Sequence, residues 1–226
     1  LAGLTGRIEG EARAGMFEID SRQLAIDLPA LFREPTFAFD SLRARGNWSR
    51  TQRGRRLTLG EVAFANADMA GTAQGDYELI AGQPGIIDMT GHLTRADGTA
   101  VHRYFPKKIG DHTVDWVRRA VVSGHSDSVR MTLKGDLARF PFDQGSGVFQ
   151  IEALVRDGVI DYVPGWPRIE DIQARVLFEG KAMEVTARQA RIYGASLLPV
   201  KALIPDLIHH EEVLQIEGEA NGPIQD

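Results

Sequence analysis

Histidine is the side chain that most readily binds a metal ion or moves a proton near neutral pH, and the spacing of the histidines here favours neither role. The chain has six, namely His92, His102, His112, His125, His209 and His210. No two of them form an HxH or HExxH pattern, in which both imidazoles would share one side of an element. His209 and His210 are adjacent, so in a strand they would point to opposite faces. We therefore expect surface histidines and no metal site.

Motifs for nucleophilic catalysis and for nucleotide binding are also missing from the sequence. No serine lies within a GxSxG turn, and the sequence has neither a GxxxxGK[ST] loop nor a GxGxxG turn after a strand. The adjacent acids Glu211 and Glu212 could serve in acid–base chemistry, but neighbouring carboxylates at a turn are more often solvated. We expect no enzymatic activity and no cofactor.

The composition narrows the class of protein. The chain has 226 residues, a formal net charge of −5 and 43% hydrophobic residues, which suits one large or two small globular units. It suits neither a disordered chain nor a basic nucleic-acid-binding protein, so no nucleic-acid partner is expected. The absence of cysteine excludes disulfides and thiolate metal sites. Because the sequence starts without methionine and inside a β pattern, we expect a segment of a longer protein.

Alternating apolar residues predict that most of the chain forms strands with one apolar face. Phe17 and Ile19 alternate with acidic residues, and this spacing recurs in further strands as far as Val213 to Ile216. The pairs Asp97-Gly98 and Asp157-Gly158 predict hairpin turns, because both residue types tolerate positive φ. The run from Pro164 to Pro167 predicts a rigid corner.

One stretch, from Tyr104 to Gly124, changes to helical spacing. Its valines recur on one side of a helix of roughly ten to thirteen residues, too short to be stable in water unless it docks on the sheet. Asp111 or Thr113 is expected to cap its start, and Gly124 to end it. The contact residues of this helical insert are predicted to be Val114, Trp116, Val117 and Val121.

The same insert is basic within an acidic chain. Its cationic residues are Lys107, Lys108, Arg118 and Arg119. A solvated helix face is the ordinary interpretation, and a contact with anionic lipid or with a partner protein is the alternative.

The segments on either side of the insert resemble each other. GMFEID at Gly15 matches GVFQIE at Gly147, and DSLRAR, IDMTGHL and LTGRI match later phrases in the same order with nearly constant offset. We therefore predict a first β repeat over residues 1–100, a helical insert over residues 101–128 and a second β repeat over residues 129–226. Strands with one apolar face need cover, either by closing as a sandwich or by staying open as a curved sheet that holds something apolar.

Several phrases carry a resemblance to a known family. They are FANADMAGTAQGDY, LTRADGTAVHRYFP, DWVRRAVVSG, LKGDLARFPF, VRDGVIDYVPGWPRIEDI and FEGKAMEVTARQARIYGASLLPV. Together they resemble the central region of YhdP-like proteins, a branch of the AsmA-like family that also includes TamB-like proteins.

This resemblance implies a periplasmic protein of Gram-negative bacteria, anchored by one N-terminal helix in the inner membrane. The family is similar to bridge-like lipid transfer proteins, whose taco-shaped sheet carries acyl chains. The implied fold class is mainly β, with two repeated, antiparallel, strongly curved sheet units that form an open groove, and one short helical insert. The implied partners are phospholipid acyl chains, the flanking segments of the same longer chain and other envelope proteins.

The resemblance favours a lipid-transfer segment between the inner and outer membranes, and the alternative is an envelope scaffold with a closed β core and no lipid cargo. The residues expected to line the lipid groove are Phe17, Ile19, Phe37, Phe39, Phe64, Phe149, Ile151, Val176, Phe178, Val185 and Ile216. A slip of one residue in a strand would move its apolar set to the other face.

Overall fold

The computed structural model of the chain describes residues 1–107, 109–197, 199–208 and 213–222. The predictions made above for Lys108, His209, His210, Glu211 and Glu212 concern residues outside these ranges.

Strands dominate the chain. The first six are β1 (Gly6–Gly10), β2 (Ala14–Asp27), β3 (Thr36–Arg50), β4 (Gly54–Ala65), β5 (Met69–Ile80) and β6 (Ile86–Asp97). A 3₁₀ helix (Gly98–Tyr104) and helix α1 (Asp111–Ala120) follow. The remaining strands are β7 (Val121–Asp136), β8 (Gly147–Ile160), β9 (Ile169–Glu179), β10 (Ala182–Ile192), β11 (Ala195–Leu197), β12 (Val200–Ile204), β13 (Gln215–Glu217) and β14 (Ala220–Asn221), and a short 3₁₀ turn (Leu137–Arg139) separates β7 from β8.

All of these strands belong to one open antiparallel sheet. From β1 to β10 each strand pairs with the next, and β10 then pairs with both β11 and β12, which continue to β14 and β13. Within the described residues β1 pairs with β2 alone, so the sheet is open. The prediction of a mainly β, antiparallel and open sheet with a short helical insert is confirmed.

Irregular register bends the strands. Shifts in pairing occur between β3 and β4, β4 and β5, β5 and β6, β7 and β8, β8 and β9, and β9 and β10. A bulge adds a residue on one strand, bends that strand and increases its twist. In β2, Phe17 and Ile19 are half-buried whereas Glu18 and Asp20 are exposed. The side chains that face the same way as Phe17 therefore shield one another, and those of Glu18 and Asp20 lie in water.

The predicted hairpin at Asp97-Gly98 is wrong. Asp97 ends β6 and its carboxylate accepts a hydrogen bond from the Thr99 amide at 2.8 Å, which caps the 3₁₀ helix. An aspartate before a glycine favours a helix cap as readily as a turn, because its side-chain oxygen satisfies a free amide in either case.

Helix α1 has the predicted length but not the predicted ends. Its N-cap is Gly110, which has no side chain to cap with, and the Asp111 carboxylate instead pairs with Arg33. Its C-cap is Val121, which already begins β7, so the chain turns directly from helix to strand. Gly124 therefore lies inside β7 rather than at the end of the helix.

The second predicted hairpin, at Asp157-Gly158, is also wrong. Asp157 has a φ of 50° and Gly158 pairs with Ile172, so the two residues form a bulge within the uninterrupted strand β8. The positive φ that the pair tolerates is used here to bend a strand instead of reversing it. The corner from Pro164 to Pro167 is confirmed, since it lies between the end of β8 and the start of β9.

The two predicted repeats lie in one continuous sheet. β6 pairs with β7 along most of its length, with Ile86 opposite Asp136 and Asp97 opposite His125. The four pairs of phrases matched in the sequence fall on β1 and β7, β2 and β8, β3 and β9, and β6 and β13. Residues 121–128 of the predicted insert are part of β7. The division into two repeats remains a prediction.

Candidate functional site

Rows of directly paired residues cross the sheet on its apolar face. Directly opposite residues in an antiparallel pair share a face, so a row can be followed from strand to strand. One row, from β1 to β8, consists of Ile8, Phe17, Gly46, Leu59, Gly75, Met89, Leu133 and Phe149. The next, from β1 to β10 and β12, consists of Gly6, Ile19, Ala44, Val62, Ala73, Gly91, Met131, Ile151, Phe178, Met183 and Ile204.

A third row lies beside these two. It runs from β2 to β10 and then through β12 and β13, and it consists of Ser21, Leu42, Phe64, Gly71, Leu93, Val129, Ala153, Val176, Val185, Ala202 and Ile216. No residue of the three rows carries a charge. At about 4.8 Å per strand, the ten steps of the longest row span roughly 48 Å. This is about one and a half times the thickness of the hydrocarbon core of a bilayer.

The opposite face of the same sheet is charged. Its acidic and basic residues pair across neighbouring strands, as in Arg45 with Glu18 at 2.8 Å and Arg175 with Glu152 at 2.6 Å. Further along, a hydrogen bond from Lys201 at 2.9 Å lowers the pKa of Glu184. Arg45 and Glu18 are exposed and Arg175 and Glu152 are half-buried, so each pair contributes modestly to stability, and together they make this face polar. The sheet is therefore amphipathic, with water on one side and apolar side chains on the other.

The structure places all of the predicted groove residues on the apolar face. Nine lie in the three rows. The remaining two are Phe37 and Phe39, which lie in β3 before the point where the alternation of its side chains between the two faces is interrupted. The Phe39 ring meets the Phe64 ring edge to face, with centroids 6.2 Å apart. Phe37 is opposite Ile26 and stacks near Tyr104 with centroids 5.5 Å apart. Their placement is a fact of the fold, and their role in binding lipid remains a prediction.

Most of the large residues in the three rows are half-buried, which distinguishes this face from a closed core. The buried hydrophobic residues are mostly small, as in the cluster of Ile172, Ala174, Ala187 and Ala190. The phenylalanines of the rows are half-buried, and Ile216 is exposed. In a sandwich these aromatic side chains would be covered by a second layer.

Several residues of this face were missed by the sequence analysis. They are Leu42, Leu59, Val62, Met89, Leu93, Met131, Leu133, Met183 and Ile204. Leu59 and Val62 show why: they face the same way although three positions separate them, because a bulge at Gly60 and Glu61 intervenes. Strict alternation counted from either residue therefore assigns the other residue to the opposite face.

Glycines opposite aromatic residues let the rings lie flat on the sheet. The Phe17 ring covers Gly46, where an added Cβ would lie 2.6 Å from the ring Cζ. The Trp48 ring covers Gly15 in the same way, at 2.2 Å from an added Cβ. These pairs keep the apolar face smooth where bulky side chains would otherwise crowd.

The helical insert docks at the end of the strands where β6 gives way to β7. Val114 and Ala120 are buried, Val117 and Val121 are half-buried, and Val121 belongs to β7. Trp116 is 38% exposed and its indole donates a hydrogen bond to the Tyr162 carbonyl at 3.1 Å, which joins α1 to the corner between β8 and β9.

Polar contacts join the other side of the insert to the loop between β2 and β3. Arg33 pairs with Asp111 and donates to the Ile109 carbonyl at 2.6 Å, and the Lys107 ammonium donates to the Pro29 carbonyl at 2.6 Å. Arg118 lies 3.8 Å from Glu34. Arg118 is thus paired with an acid and Lys107 is held by a carbonyl, and the insert connects strand ends from β3 to β8.

Tyr104 anchors the 3₁₀ helix to the turn between β4 and β5. Its hydroxyl donates to Asp68 at 3.0 Å and accepts from the Asn66 amide at 3.0 Å. Burial of the phenol, together with the carboxylate beside it, raises the pKa of Tyr104. The same carboxylate binds Arg103 at 3.0 Å and raises the pKa of that guanidinium.

Two kinds of feature are not found in the described ranges. They contain no group of three or more His, Asp or Glu residues able to hold a metal ion. No helix within them is long and apolar enough to cross a membrane.

Comparison with known proteins gives one result. No curated protein and no solved structure matches the chain. A family model described as YhdP protein matches residues 1–226, the whole of the sequence. The open sheet and its family match agree with the resemblance carried by the sequence phrases. The chain belongs to the YhdP family, a branch of the AsmA-like proteins.

Proposed function

We propose that this chain is a segment of a periplasmic conduit that shields phospholipid acyl chains between the inner and outer membranes. The observation that carries the proposal is the uncharged apolar face that crosses the sheet from β1 to β12 and β13 without a covering layer. Each methylene group moved from water to such a surface is worth roughly 0.8 kcal/mol, so an acyl chain favours this face over water.

The uniformity of the rows supports movement along them. Apart from Ser21 at one end, they are built of aliphatic, aromatic, methionine and glycine residues, and no charge interrupts them. A wall without deep polar sites holds an acyl chain at similar free energy along its length, so the chain can slide. The head group would stay at the strand ends, in water.

Membership of the family supports an envelope location. On this proposal, the parent protein is anchored in the inner membrane and flanking segments of the same chain extend the groove. Among the strands that the structure describes, β1 has a neighbour on one side, β2, so the amide and carbonyl groups of its other edge could accept a further strand.

The test is a charged residue placed on each face of one strand in the full-length protein. Phe149→Asp puts a carboxylate among the apolar rows, whereas Val148→Asp puts it on the opposite face of β8, where Val148 is 43% exposed. Transfer is measured as the rate at which labelled phospholipid reaches the outer membrane, and folding by the amount of protein in the cell. We expect Phe149→Asp to block transfer at normal protein levels and Val148→Asp to leave it unchanged.

Two other outcomes would refute the conduit. A folded Phe149→Asp protein with full transfer would show that lipid does not cross this face. Loss of the folded protein would mark Phe149 as part of a closed core, as expected for an envelope scaffold.

A further inference from the structure

Two arginines stand where the apolar face meets the strand ends opposite the insert. Arg50 is the last residue of β3, Arg55 is the second residue of β4, and the two are direct register partners. Two positions inward, Trp48 and Leu57 are also partners. Alternation along each strand therefore puts Arg50 and Arg55 on the same face as the apolar rows, about 7 Å beyond the Trp48–Leu57 pair.

Neither arginine has an acidic partner among the residues that the structure describes. Their neighbours Arg53 and Arg56 lie 3.1 and 3.4 Å from the Glu78 carboxylate, which also accepts a hydrogen bond from Thr51 at 2.8 Å. Glu78 is thus satisfied by groups on the charged side of the sheet. Arg50 and Arg55 are exposed and keep their positive charge unneutralised at the rim of an uncharged surface.

A third cation adjoins this pair. The Arg13 carbonyl accepts a hydrogen bond from the Arg50 amide at 2.7 Å, so Arg13 lies beside Arg50 at the start of β2. Three arginines, one just before β2, one at the end of β3 and one near the start of β4, therefore lie at the same edge of the sheet, in a chain whose net charge is −5. Concentrated positive charge at one rim attracts an anion, and guanidinium groups bind phosphate oxygens in a two-pronged geometry.

The position of Arg50 and Arg55 beside the apolar face indicates which class of anion they would bind. A free anion would need only the charge, whereas this charge adjoins Trp48, Leu57 and the row through Phe17 and Leu59. A ligand that satisfies both parts has an anionic group at the strand ends and an apolar chain along the face. We propose that Arg50 and Arg55 bind the head-group phosphate of a phospholipid whose acyl chains lie on the apolar face; this site rests on the proposed lipid-carrying function.

The experiment compares two lipids that share acyl chains and differ in the phosphate. Full-length protein is incubated with vesicles of phosphatidylethanolamine and phosphatidylglycerol that contain either a phospholipid or a diacylglycerol with a photoreactive acyl chain. Crosslinking to the protein is then measured. The variant Arg50→Gln/Arg55→Gln is compared with Arg43→Gln/Arg45→Gln, which removes the same charge from the opposite face of β3, where Arg43 and Arg45 pair with Asp20 and Glu18.

We expect the wild-type protein to crosslink the phospholipid more than the diacylglycerol. The Arg50→Gln/Arg55→Gln variant should crosslink about tenfold less phospholipid than the wild type, as expected when charged hydrogen bonds are removed. It should crosslink as much diacylglycerol as the wild type. The Arg43→Gln/Arg45→Gln variant should match the wild type with both lipids. Retained diacylglycerol crosslinking also shows that the variant is folded; if it is lost, the single change Arg55→Gln is used, with a smaller loss of the same kind expected.

Three results would overturn the assignment. Equal phospholipid crosslinking in wild type and Arg50→Gln/Arg55→Gln refutes the phosphate site and leaves the groove intact. Failure of the wild type to crosslink either lipid refutes the proposed function itself. Loss of the phospholipid preference on adding submillimolar inorganic phosphate would show that the arginines take the free anion instead of a head group.

Discussion

The rings of Phe39 and Phe64 meet edge to face, with centroids 6.2 Å apart and planes at 80°. Phe64 is opposite Leu42, and strict alternation along β3 would put Phe39 and Leu42 on opposite faces. The contact therefore shows that β3 changes its facing between these two residues. Its neighbour β2 changes at the same level, where Gln23 has a φ of 55° and its amide bonds to Asp40. Because both strands change together, the apolar face stays continuous.

Packing of aromatic rings on glycine predicts a sharp difference between two glycines near the same bulge. A Cβ at Gly46 would lie 2.4 Å from the Thr58 carbonyl oxygen and 2.6 Å from the Phe17 ring. A Cβ at Gly60 would meet nothing closer than 3.7 Å. We expect Gly46→Ala to lower the free energy of unfolding by roughly 1–3 kcal/mol and Gly60→Ala to change it by less than about 0.5 kcal/mol, measured by urea denaturation. Equal effects would mean that Phe17 does not lie over Gly46.

The contacts of Arg33 predict how firmly the insert is held. Arg33→Gln removes the pair with Asp111 and weakens the bond to the Ile109 carbonyl, so amide hydrogen exchange of α1 should become faster. Arg119→Gln is the matched control, since Arg119 is exposed on the same helix and forms no ion pair within the described residues. Unchanged exchange in Arg33→Gln would show that the apolar contacts of Val114 and Ala120 suffice.

Glu78 predicts a dependence of stability on pH. The Thr51 hydroxyl is the main cause that lowers the pKa of Glu78 from its ordinary value of 4.5, and Arg53 and Arg56 lower it further. A lowered carboxyl pKa contributes stability that is present above the unfolded-state pKa and is lost as the pH falls through the folded-state value. Glu78→Gln should therefore be less stable than wild type at pH 7. The difference in the free energy of unfolding should disappear as the pH falls through the folded-state pKa of Glu78. A difference that stays constant as the pH is lowered from 7 into the acid range would assign it to packing rather than to charge.

The alternation of residues was sufficient to assign the apolar face within those parts of a strand that no bulge interrupts. Phe17 and Ile19, and likewise Phe149 and Ile151, are two positions apart in strands that keep their period between them, so their shared facing followed from the spacing. The apolar face as a whole could not be traced from the sequence, because bulges at Gly60 and at Asp157 interrupt the alternation of side chains between the two faces. The position of a bulge depends on contacts with the neighbouring strand. Register between strands is likewise set by pairing and not by any one strand alone.

The Asp-Gly pairs show a different limit. Both positions were expected to reverse the chain, yet Asp97 caps a helix and Asp157 sits in a bulge. Asp-Gly specifies a backbone that tolerates positive φ, and the surrounding strands decide whether a turn, a cap or a bulge results. The unpaired arginines at Arg50 and Arg55 could not be recognised from the basic run Arg50 to Arg56 either, because their neighbours Arg53 and Arg56 differ from them only in facing and in their contact with Glu78.

The central claim, that acyl chains lie on one face of this sheet, is tested most directly by two photoreactive residues on opposite faces. Met131 lies in an apolar row and is 37% exposed, and Leu154 lies on the other side of the neighbouring strand and is 41% exposed. Each is replaced in the full-length protein by benzoylphenylalanine, and crosslinked phospholipid is measured by mass spectrometry after irradiation of living cells. Phospholipid attached at Met131 and not at Leu154 is the predicted result. Equal labelling at both positions, or none at Met131 in a folded protein, would contradict the account.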